Sequence, residues 1–157
     1  MKWYQVVGLT VMVLVTTLFI RIPVAGGGYF NLGDTMIVFT GLYAGRKVGL
    51  IAGGVGSAIA DLIGFPLFAP ITLIVKGVEG YLCGLGHKTS KPFEYLMPAV
   101  AVLVMVCGYF AGSALFPSLG IAVALTDLPI NLIQAAVGYI GGRAIFLAFD
   151  RFVLPLT

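Results

Sequence analysis

Apolar residues run through most of this chain in long stretches, which short polar or glycine- and proline-rich segments separate. A run of about 20 apolar residues is long enough for an α-helix to cross a bilayer. The pattern predicts six helices, at about residues 3–20, 34–44, 48–64, 69–86, 95–115 and 121–149. We therefore predict an all-α fold, a bundle of six transmembrane helices in a single membrane domain that covers residues 1–157.

The second of these segments, residues 34–44, is too short to span a bilayer alone. The segment before it carries Pro23 and the glycine run 26–28, which favours a loop over a helix. We expect this loop to fold back into the membrane against protein or a wet cavity, because lipid does not tolerate bare backbone.

The composition indicates that lipid rather than water surrounds most of this protein. Hydrophobic residues make up 60% and charged residues 10% of the chain, whereas soluble domains carry about 25% charged residues. So few charges cannot cover a surface that faces water, which excludes a soluble enzyme, a disordered regulator and a nucleic-acid-binding protein. The net charge of +3 is too small to indicate nucleic acid as a partner.

Positive residues are concentrated in alternate loops. If the N-terminus is cytoplasmic, Arg21 alone among the Lys and Arg residues near the helix ends falls outside. Those that fall inside are Lys2, Arg46, Lys47, Lys88, Lys91, Arg143 and Arg151. This distribution follows the positive-inside rule and predicts that both termini are cytoplasmic.

A ladder of small residues follows the third predicted helix. Gly49, Gly53 and Ser57 recur every four residues and so share one helix face. Small residues allow helix backbones to approach closely in a membrane. We interpret the ladder as an internal packing face, with an interface to another subunit as the alternative.

Polar residues recur at helical spacing on two of the predicted helices. Each set has the spacing i, i+4, i+7 and shares one helix face; the sets are Thr72, Lys76 and Glu79, and Asp127, Asn131 and Gln134. Ionisable residues inside membrane helices are costly and usually functional. With Asp34 and Asp61 at the outer ends of their helices, the sets predict a solute site near the outer leaflet. The alternative is that Lys76 forms a structural ion pair with Glu79 or Asp61.

Aromatic residues accompany these polar groups at the same end of the predicted bundle; they are Tyr29, Phe30, Phe65, Phe68, Tyr109 and Phe110. A pocket that is both polar and aromatic suits a small, planar, hydrogen-bonding solute. The chain carries no Walker A sequence, no HExxH and no nucleophile elbow. We therefore expect no catalytic activity, no metal and no cofactor.

Three segments are distinctive in their order along the chain: GYFNLGD at 28–34, GGVGSAIADL at 53–62 and APITLIVKGVEG at 69–80. Together they resemble the substrate-binding S component of energy-coupling factor (ECF) vitamin transporters. The resemblance implies a multi-pass protein of a prokaryotic plasma membrane that captures a vitamin or precursor at the outer face. It also implies partners, namely a transmembrane T component and two ABC ATPase subunits, which would hydrolyse the ATP.

The candidate substrate-binding residues are Asn31, Asp34, Thr72, Lys76, Glu79, Tyr109, Asp127, Asn131 and Gln134. Many S components carry an Ala-x-x-x-Ala pattern on the first helix that meets the T component. This chain lacks that pattern, and Gly8 is the only very small residue in its first helix. Gly8 is therefore a candidate for helix packing or for the partner interface.

The charge balance bears on the substrate. Relatives with the Asn-Leu-Gly-Asp motif include transporters assigned to hydroxymethylpyrimidine, pyridoxine and pantothenate. Four acidic residues accompany one base, Lys76, in the membrane region, which disfavours a carboxylate ligand and favours hydroxymethylpyrimidine or a pyridoxine-like ring. Arg21 would weaken this argument if it folded over the site. Pantothenate and riboflavin remain alternatives, as do a stand-alone small-solute permease and a membrane scaffold subunit.

Overall fold

The computed structural model describes residues 1–23 and 29–152. These residues form six α-helices: α1 Trp3–Phe19, α2 Gly33–Ala44, α3 Arg46–Gly64, α4 Ala69–Leu85, α5 Lys91–Leu115 and α6 Ile121–Phe152. One turn of 3-10 helix, Pro66–Phe68, leads into α4. The glycine run 26–28 and the C-terminal residues 153–157, on which part of our loop and terminus predictions falls, lie outside the described residues.

The observed helices differ from the predicted ones mainly at their ends. α5 begins at Lys91 rather than near residue 95, because Pro92 in its first turn suits a helix start, where its missing N–H is not needed. α6 continues to Phe152 rather than ending near residue 149. The turn between α4 and α5 is therefore shorter than the sequence pattern suggested.

The segment before α2, predicted as a loop, contains a small β-hairpin. Strands β1 Ile22–Pro23 and β2 Tyr29–Phe30 pair antiparallel, with Ile22 opposite Phe30 and Pro23 opposite Tyr29. Two-residue strands lie below the length at which an alternating pattern can be recognised. The pairing fixes the position of Tyr29 at this end of the bundle.

Among the described residues, four helical segments are long and apolar enough to cross a membrane; they are Arg46–Gly64, Pro66–Leu85, Lys91–Leu115 and Ile121–Phe152. α1 is apolar but has only 17 residues. α2 has 12 residues and is about 18 Å long at 1.5 Å per residue, well short of the roughly 30 Å hydrocarbon core. The fold is that of a multi-pass membrane protein, while six spans and two cytoplasmic termini stay predictions.

α3 and α4 pack with their backbones in direct contact. A Cβ added at Gly49 would collide with the backbone of Gly80, and one added at Gly53 would collide with the carbonyl of Lys76. The small-residue ladder on α3 therefore faces α4 of the same chain. Gly8 differs, because a Cβ built there would meet no described atom within 4 Å.

α2 lies at the centre of the bundle. Nine of its 12 residues are buried, and it contributes to two separate cores. Val38 and Leu42 pack with α4, α5 and α6, whereas Ile37 and Phe39 pack with α1 and α3. Burial on all sides explains why most of this segment is apolar, and it places the start of α2, with Asp34, deep inside the protein.

Candidate functional site

A polar cavity lies between the helices at the end of the bundle that carries the β-hairpin and the 3-10 turn. Its volume in this structure is about 30 Å³, well below the roughly 300–1,000 Å³ that is usual for small-molecule sites, so a solute the size of a vitamin would have to widen it. Its lining comes from α1, β2 and the segment after it, α3, the 3-10 turn and α4 to α6. It consists of Thr17, Tyr29, Asn31, Ser57, Asp61, Phe68, Thr72, Lys76, Tyr109, Ser113, Asp127, Ile130, Asn131 and Gln134.

Asp61, near the end of α3, is the centre of a hydrogen-bond network in one wall of this cavity. Its carboxylate accepts hydrogen bonds from the hydroxyls of Tyr29 and Thr72. The Thr72 hydroxyl also lies 2.9 Å from the Tyr109 hydroxyl. Because a hydroxyl has a single proton and that of Thr72 goes to Asp61, Tyr109 is the donor in the second bond. Four side chains from four elements are thereby joined.

Tyr29 is positioned by its neighbours as well as by the hairpin. Its ring stacks on Phe65 with the centroids 4.5 Å apart, and the Arg21 guanidinium lies 5.0 Å from its centroid. Burial, reinforced by the nearby Asp61 carboxylate, raises the pKa of Tyr29 above its ordinary value. The hydroxyl therefore stays protonated near neutral pH and can donate to Asp61.

Arg21 does not line the cavity. It donates a hydrogen bond to the carbonyl of Ala60 at 2.6 Å, and its guanidinium faces the rings of Tyr29 and Phe65. The possibility that Arg21 adds positive charge to the site is therefore not realised in this structure. Within residues 1–23 and 29–152, Lys76 is the one cationic side chain in the lining.

Lys76 is held by two carboxylates that do not themselves line the cavity. It donates a hydrogen bond to Asp34 at the start of α2, and its Nζ lies 3.2 Å from Oε2 of Glu79. The side chains of Lys76, Asp34 and Glu79 are 3%, 1% and 0% exposed. The structural ion pair between Lys76 and Glu79, one of our two interpretations, is thus present. Its second partner is Asp34 rather than Asp61.

Asn31 and Gln134 bond to each other across the start of α2. The backbone N–H of Asn31 donates to Oε1 of Gln134 at 2.9 Å, and its side-chain Nδ2 donates to the same oxygen at 3.2 Å. Oδ1 of Asn31 accepts from the N–H of Gly33 at 2.8 Å. These bonds tie the Asn-Leu-Gly-Asp segment to α6 and give that part of the wall its shape.

α6 also presents Asp127 and Asn131 to the cavity. Asn131 is half-buried, and its amide makes no hydrogen bond to the described part of the chain. An amide carries both donors and an acceptor, so Asn131 offers both to a bound solute. Asp127 is buried, at 5% exposure.

Most of the predicted site residues meet in this one cavity: Asn31, Thr72, Lys76, Tyr109, Asp127, Asn131 and Gln134. Asp34 and Glu79 do not line it and contact Lys76 instead. Ser57, assigned from the sequence to helix packing, lies in the lining.

Sequence reasoning missed Thr17, Ser113 and Ile130. Ser113 follows Tyr109 by four residues on α5, so helical spacing could have found it. Thr17 and Ile130 carry no such signal. In the described ranges, no group of three or more His, Cys, Asp or Glu side chains is placed to hold a metal ion.

Comparison with known proteins gives three results. Residues 4–151 match the model of a family described as ECF-type riboflavin transporter, S component. The chain is 37% identical over 147 residues to an uncharacterized protein in a gap 3′ region of Pyrococcus woesei, covering 92% of this chain and 98% of that one. It is 30% identical over 131 residues to the thiamine precursor transporter HmpT of Lactococcus lactis subsp. cremoris, covering 83% and 75% respectively.

Proposed function

This chain belongs to the family of ECF-type S components, and from that premise we propose that its polar cavity binds a water-soluble vitamin or vitamin precursor. The observation that carries the proposal is that the Asp61 network, Lys76 and the unbonded amide of Asn131 meet in one cavity. A mostly enclosed pocket with a few convergent polar groups is the usual form of a small-molecule site. The family is one of transporter subunits rather than enzymes.

The ligand that we favour is hydroxymethylpyrimidine or a pyridoxine-like ring. The ionisable side chains in the lining are those of Tyr29, Asp61, Lys76, Tyr109 and Asp127. The ammonium of Lys76 is already matched by Asp34 and Glu79, so the cavity has no surplus cation for a ligand carboxylate. A neutral or weakly basic ring can donate hydrogen bonds to the acidic side chains. It can also donate hydrogen bonds to the Asn131 amide and accept them from it. Similarity to a thiamine precursor transporter supports the same choice.

Riboflavin is the second candidate, because the matching family model is described as a riboflavin transporter component. Riboflavin is also planar and rich in hydrogen-bonding groups. It differs in size, since it carries three fused rings and a polyol chain. Pantothenate is disfavoured, because its carboxylate would lie near Asp61 or Asp127 without a free cation.

For transport, we propose that the chain lies in the cell membrane with this cavity open to the outside. It would work with a T component and two ABC ATPase subunits. The chain has no nucleotide-binding motif of its own, so the energy would come from those partners. The purified protein alone should bind its ligand without hydrolysing ATP, and sustained uptake should need all the partners.

Calorimetric titration of the purified protein tests the ligand. The panel is hydroxymethylpyrimidine, pyridoxine, riboflavin and pantothenate, and mass spectrometry identifies any small molecule retained from the cell. We expect the tightest binding for one of the first two. Tightest binding of riboflavin would select the second candidate, and binding of none of the four would refute the proposed substrate class.

Copurification tests the transport role. A tagged S component should retain a T component and two ATPases after mild solubilisation. Uptake by vesicles that contain this chain alone would instead identify a stand-alone permease, and partners without any ligand binding would favour a scaffold subunit.

A further inference from the structure

A second cavity opens at the opposite end of α3 and α4 from the polar site. Its volume is about 480 Å³, and it lies where α2 turns into α3 beside the end of α4. The charged residues that line it are Arg46 and Lys47, and no carboxylate of residues 1–23 and 29–152 joins them. Here the protein presents positive charge alone around a concave surface.

The two cations have no partner of their own. Neither Arg46 nor Lys47 forms an ion pair or a side-chain hydrogen bond with another described residue. Both side chains are exposed. Their charges are therefore available to an anion from outside the chain.

The close packing of α4 against the start of α3 fixes the backbone position of Arg46 and Lys47. A Cβ at Gly84 would collide with the backbone of Arg46, so α4 meets the first residues of α3 directly. Gly45 turns the chain between the helices with a φ of 83°, a backbone conformation that favours glycine. His87, which also lines the cavity, has its Nδ1 2.6 Å from the carbonyl oxygen of Leu42. Because a carbonyl only accepts, Nδ1 carries the proton, and Nε2 is left for another partner.

An adjoining cavity has a different charge balance. It shares Met1, Ala44 and His87 with the cavity lined by Arg46 and Lys47. Its lining combines Lys88 and Lys91 with Glu94 and Asp150. Glu94 is 3.4 Å from Lys91 and 3.5 Å from Arg143. The acidic groups of this neighbour make the cavity of Arg46 and Lys47 the better place for an anion.

The position of Arg46 and Lys47 relative to the membrane indicates which kind of anion they bind. Arg46 is the first residue of a helix long and apolar enough to cross a membrane. Leu50 and Ile51, one turn further along α3, are 45% and 42% exposed and would face lipid chains. Charges at the end of a spanning helix stand at the level of the lipid headgroups, where anionic phospholipids attract basic residues.

We propose that the cavity lined by Arg46 and Lys47 binds the phosphodiester headgroup of an anionic phospholipid. The headgroup phosphate pairs with the guanidinium and the ammonium, while the acyl chains lie along the apolar face of α3. In the predicted orientation this lipid belongs to the cytoplasmic leaflet. The site is separate from the vitamin cavity and does not depend on the vitamin.

Fluorescence quenching in vesicles tests the proposal, because the chain has a single tryptophan. Trp3 lies two residues from Met1, which lines the cavity. The protein is placed in phosphatidylcholine vesicles that contain increasing amounts of brominated phosphatidylglycerol. We expect brominated phosphatidylglycerol to bind near Trp3 about 25-fold more tightly than brominated phosphatidylcholine. Each of the two basic residues should raise the affinity for the anionic lipid about five-fold.

The double substitution Arg46→Gln, Lys47→Gln should remove this preference. Arg151→Gln is the matched control, because Arg151 is an exposed cation that lines neither cavity, and it should leave the preference intact. Circular dichroism checks that the variants are helical. If the double variant does not fold, Lys47→Gln alone should lower the preference about five-fold.

Three outcomes overturn the proposal. One is equal quenching by the two brominated lipids in the unmodified protein. Another is an equal loss of preference in Arg151→Gln, which would indicate a diffuse effect of net charge. The third is displacement of the brominated lipid by inorganic phosphate at constant ionic strength, which would identify a site for soluble phosphate.

Discussion

Lys76 on α4 and Asp34 at the start of α2 form an ion pair that solvent does not reach, with side-chain exposures of 3% and 1%. Glu79 completes the cluster at 3.2 Å from the same ammonium. Buried charges lose their hydration, and their partners compensate only while all of them are present. The cluster therefore joins α2 to α4 and also determines that Lys76 enters the cavity with its charge already matched.

Lys76→Met should destabilise the protein and weaken ligand binding together. The substitution removes the cation and leaves two buried carboxylates without it, and breaking such a pair typically costs about 3–5 kcal/mol. Thermal melting and calorimetric titration measure the two effects. Lys91→Met is the control, because Lys91 is 68% exposed in its pair with Glu94 and such pairs contribute at most about 1 kcal/mol.

Neutralising the partners should restore much of the stability lost in Lys76→Met. The triple variant with Asp34→Asn and Glu79→Gln leaves no unmatched charge in the cluster. A triple variant no more stable than Lys76→Met would show that the charges are not what holds α2 to α4. Normal binding by Lys76→Met would place the ligand elsewhere.

Asn131→Ala should weaken ligand binding without lowering the melting temperature. The Asn131 amide lines the cavity and bonds to no described residue. Its removal therefore leaves only a polar group of the ligand without a hydrogen-bond partner. A buried polar group without a partner costs about 1–3 kcal/mol, which corresponds to roughly 10- to 100-fold in Kd. Calorimetric titration with hydroxymethylpyrimidine or pyridoxine measures the change.

Gln134→Ala provides the contrast on the same helix face. The Gln134 oxygen accepts two hydrogen bonds from Asn31, so its loss should lower the melting temperature as well as the affinity. Equal effects of the two substitutions on stability would contradict the separate roles that we assign to Asn131 and Gln134.

Gly53→Leu should lower the yield of folded protein. A side chain at this position would meet the backbone carbonyl of Lys76 and, at 3.2 Å, Cγ2 of Ile37, and overpacking of this kind typically costs about 1–3 kcal/mol. Gly8→Leu is the matched control, because a Cβ there meets no described atom within 4 Å. Size-exclusion chromatography and thermal melting compare the two variants.

Gly8→Leu has a second use. If Gly8 belongs to the interface with a T component, this variant should fold normally and fail to copurify with partners. Retention of the partners would remove Gly8 from that interface and leave it facing lipid.

The stability of the unmodified protein should fall more steeply at alkaline pH than that of Tyr29→Phe. The pKa of Tyr29 is raised above its ordinary value of 10.0 in the folded state. The stabilisation of the protonated form is thus complete below about pH 10. Above that, the unfolded chain loses the proton first, so the free energy of unfolding decreases by up to about 1.4 kcal/mol per pH unit. Melting curves between roughly pH 9 and pH 11 test this, and parallel curves for the two proteins would contradict it.

The six-span topology can be tested with reporters. A reporter fused after Thr157 should give a cytoplasmic signal, and one inserted between α5 and α6 should give a signal from outside. The reason is the positive charge at the ends of α3 and α5, where Arg46, Lys47 and Lys91 stand. Signals from the same side would rule out the predicted orientation and the outward opening of the cavity.

The helical spacing of polar residues could be used to predict which side chains meet, but not what each one does. Thr72, Lys76 and Asn131 lie in one cavity because spacing along a helix determines its faces. Spacing alone does not show how deeply a residue is buried or which other helix faces it. Glu79 shares a helix face with Thr72 and Lys76 and was predicted as a substrate contact, but in the structure it contacts Lys76 and does not line the cavity.

The segment around α2 was the least predictable. Its position between two cores depends on five other helices, and no periodic pattern in a 12-residue apolar run can show it. The hydrogen bond between Tyr29 and Asp61 joins residues 32 apart in the chain. Such long-range pairing follows from the assembled bundle rather than from local sequence.

The direct contact between the backbones of α3 and α4 has a mechanical consequence. Where Gly49 meets Gly80 there is no side chain that could change its rotamer, so the two helices cannot slide past one another without a steric clash. They move together as one rigid unit, in which Asp61, Thr72 and Lys76 keep a constant spacing. Any widening that admits a solute must therefore come from the other elements of the lining, namely α1, the β-hairpin, α5 and α6.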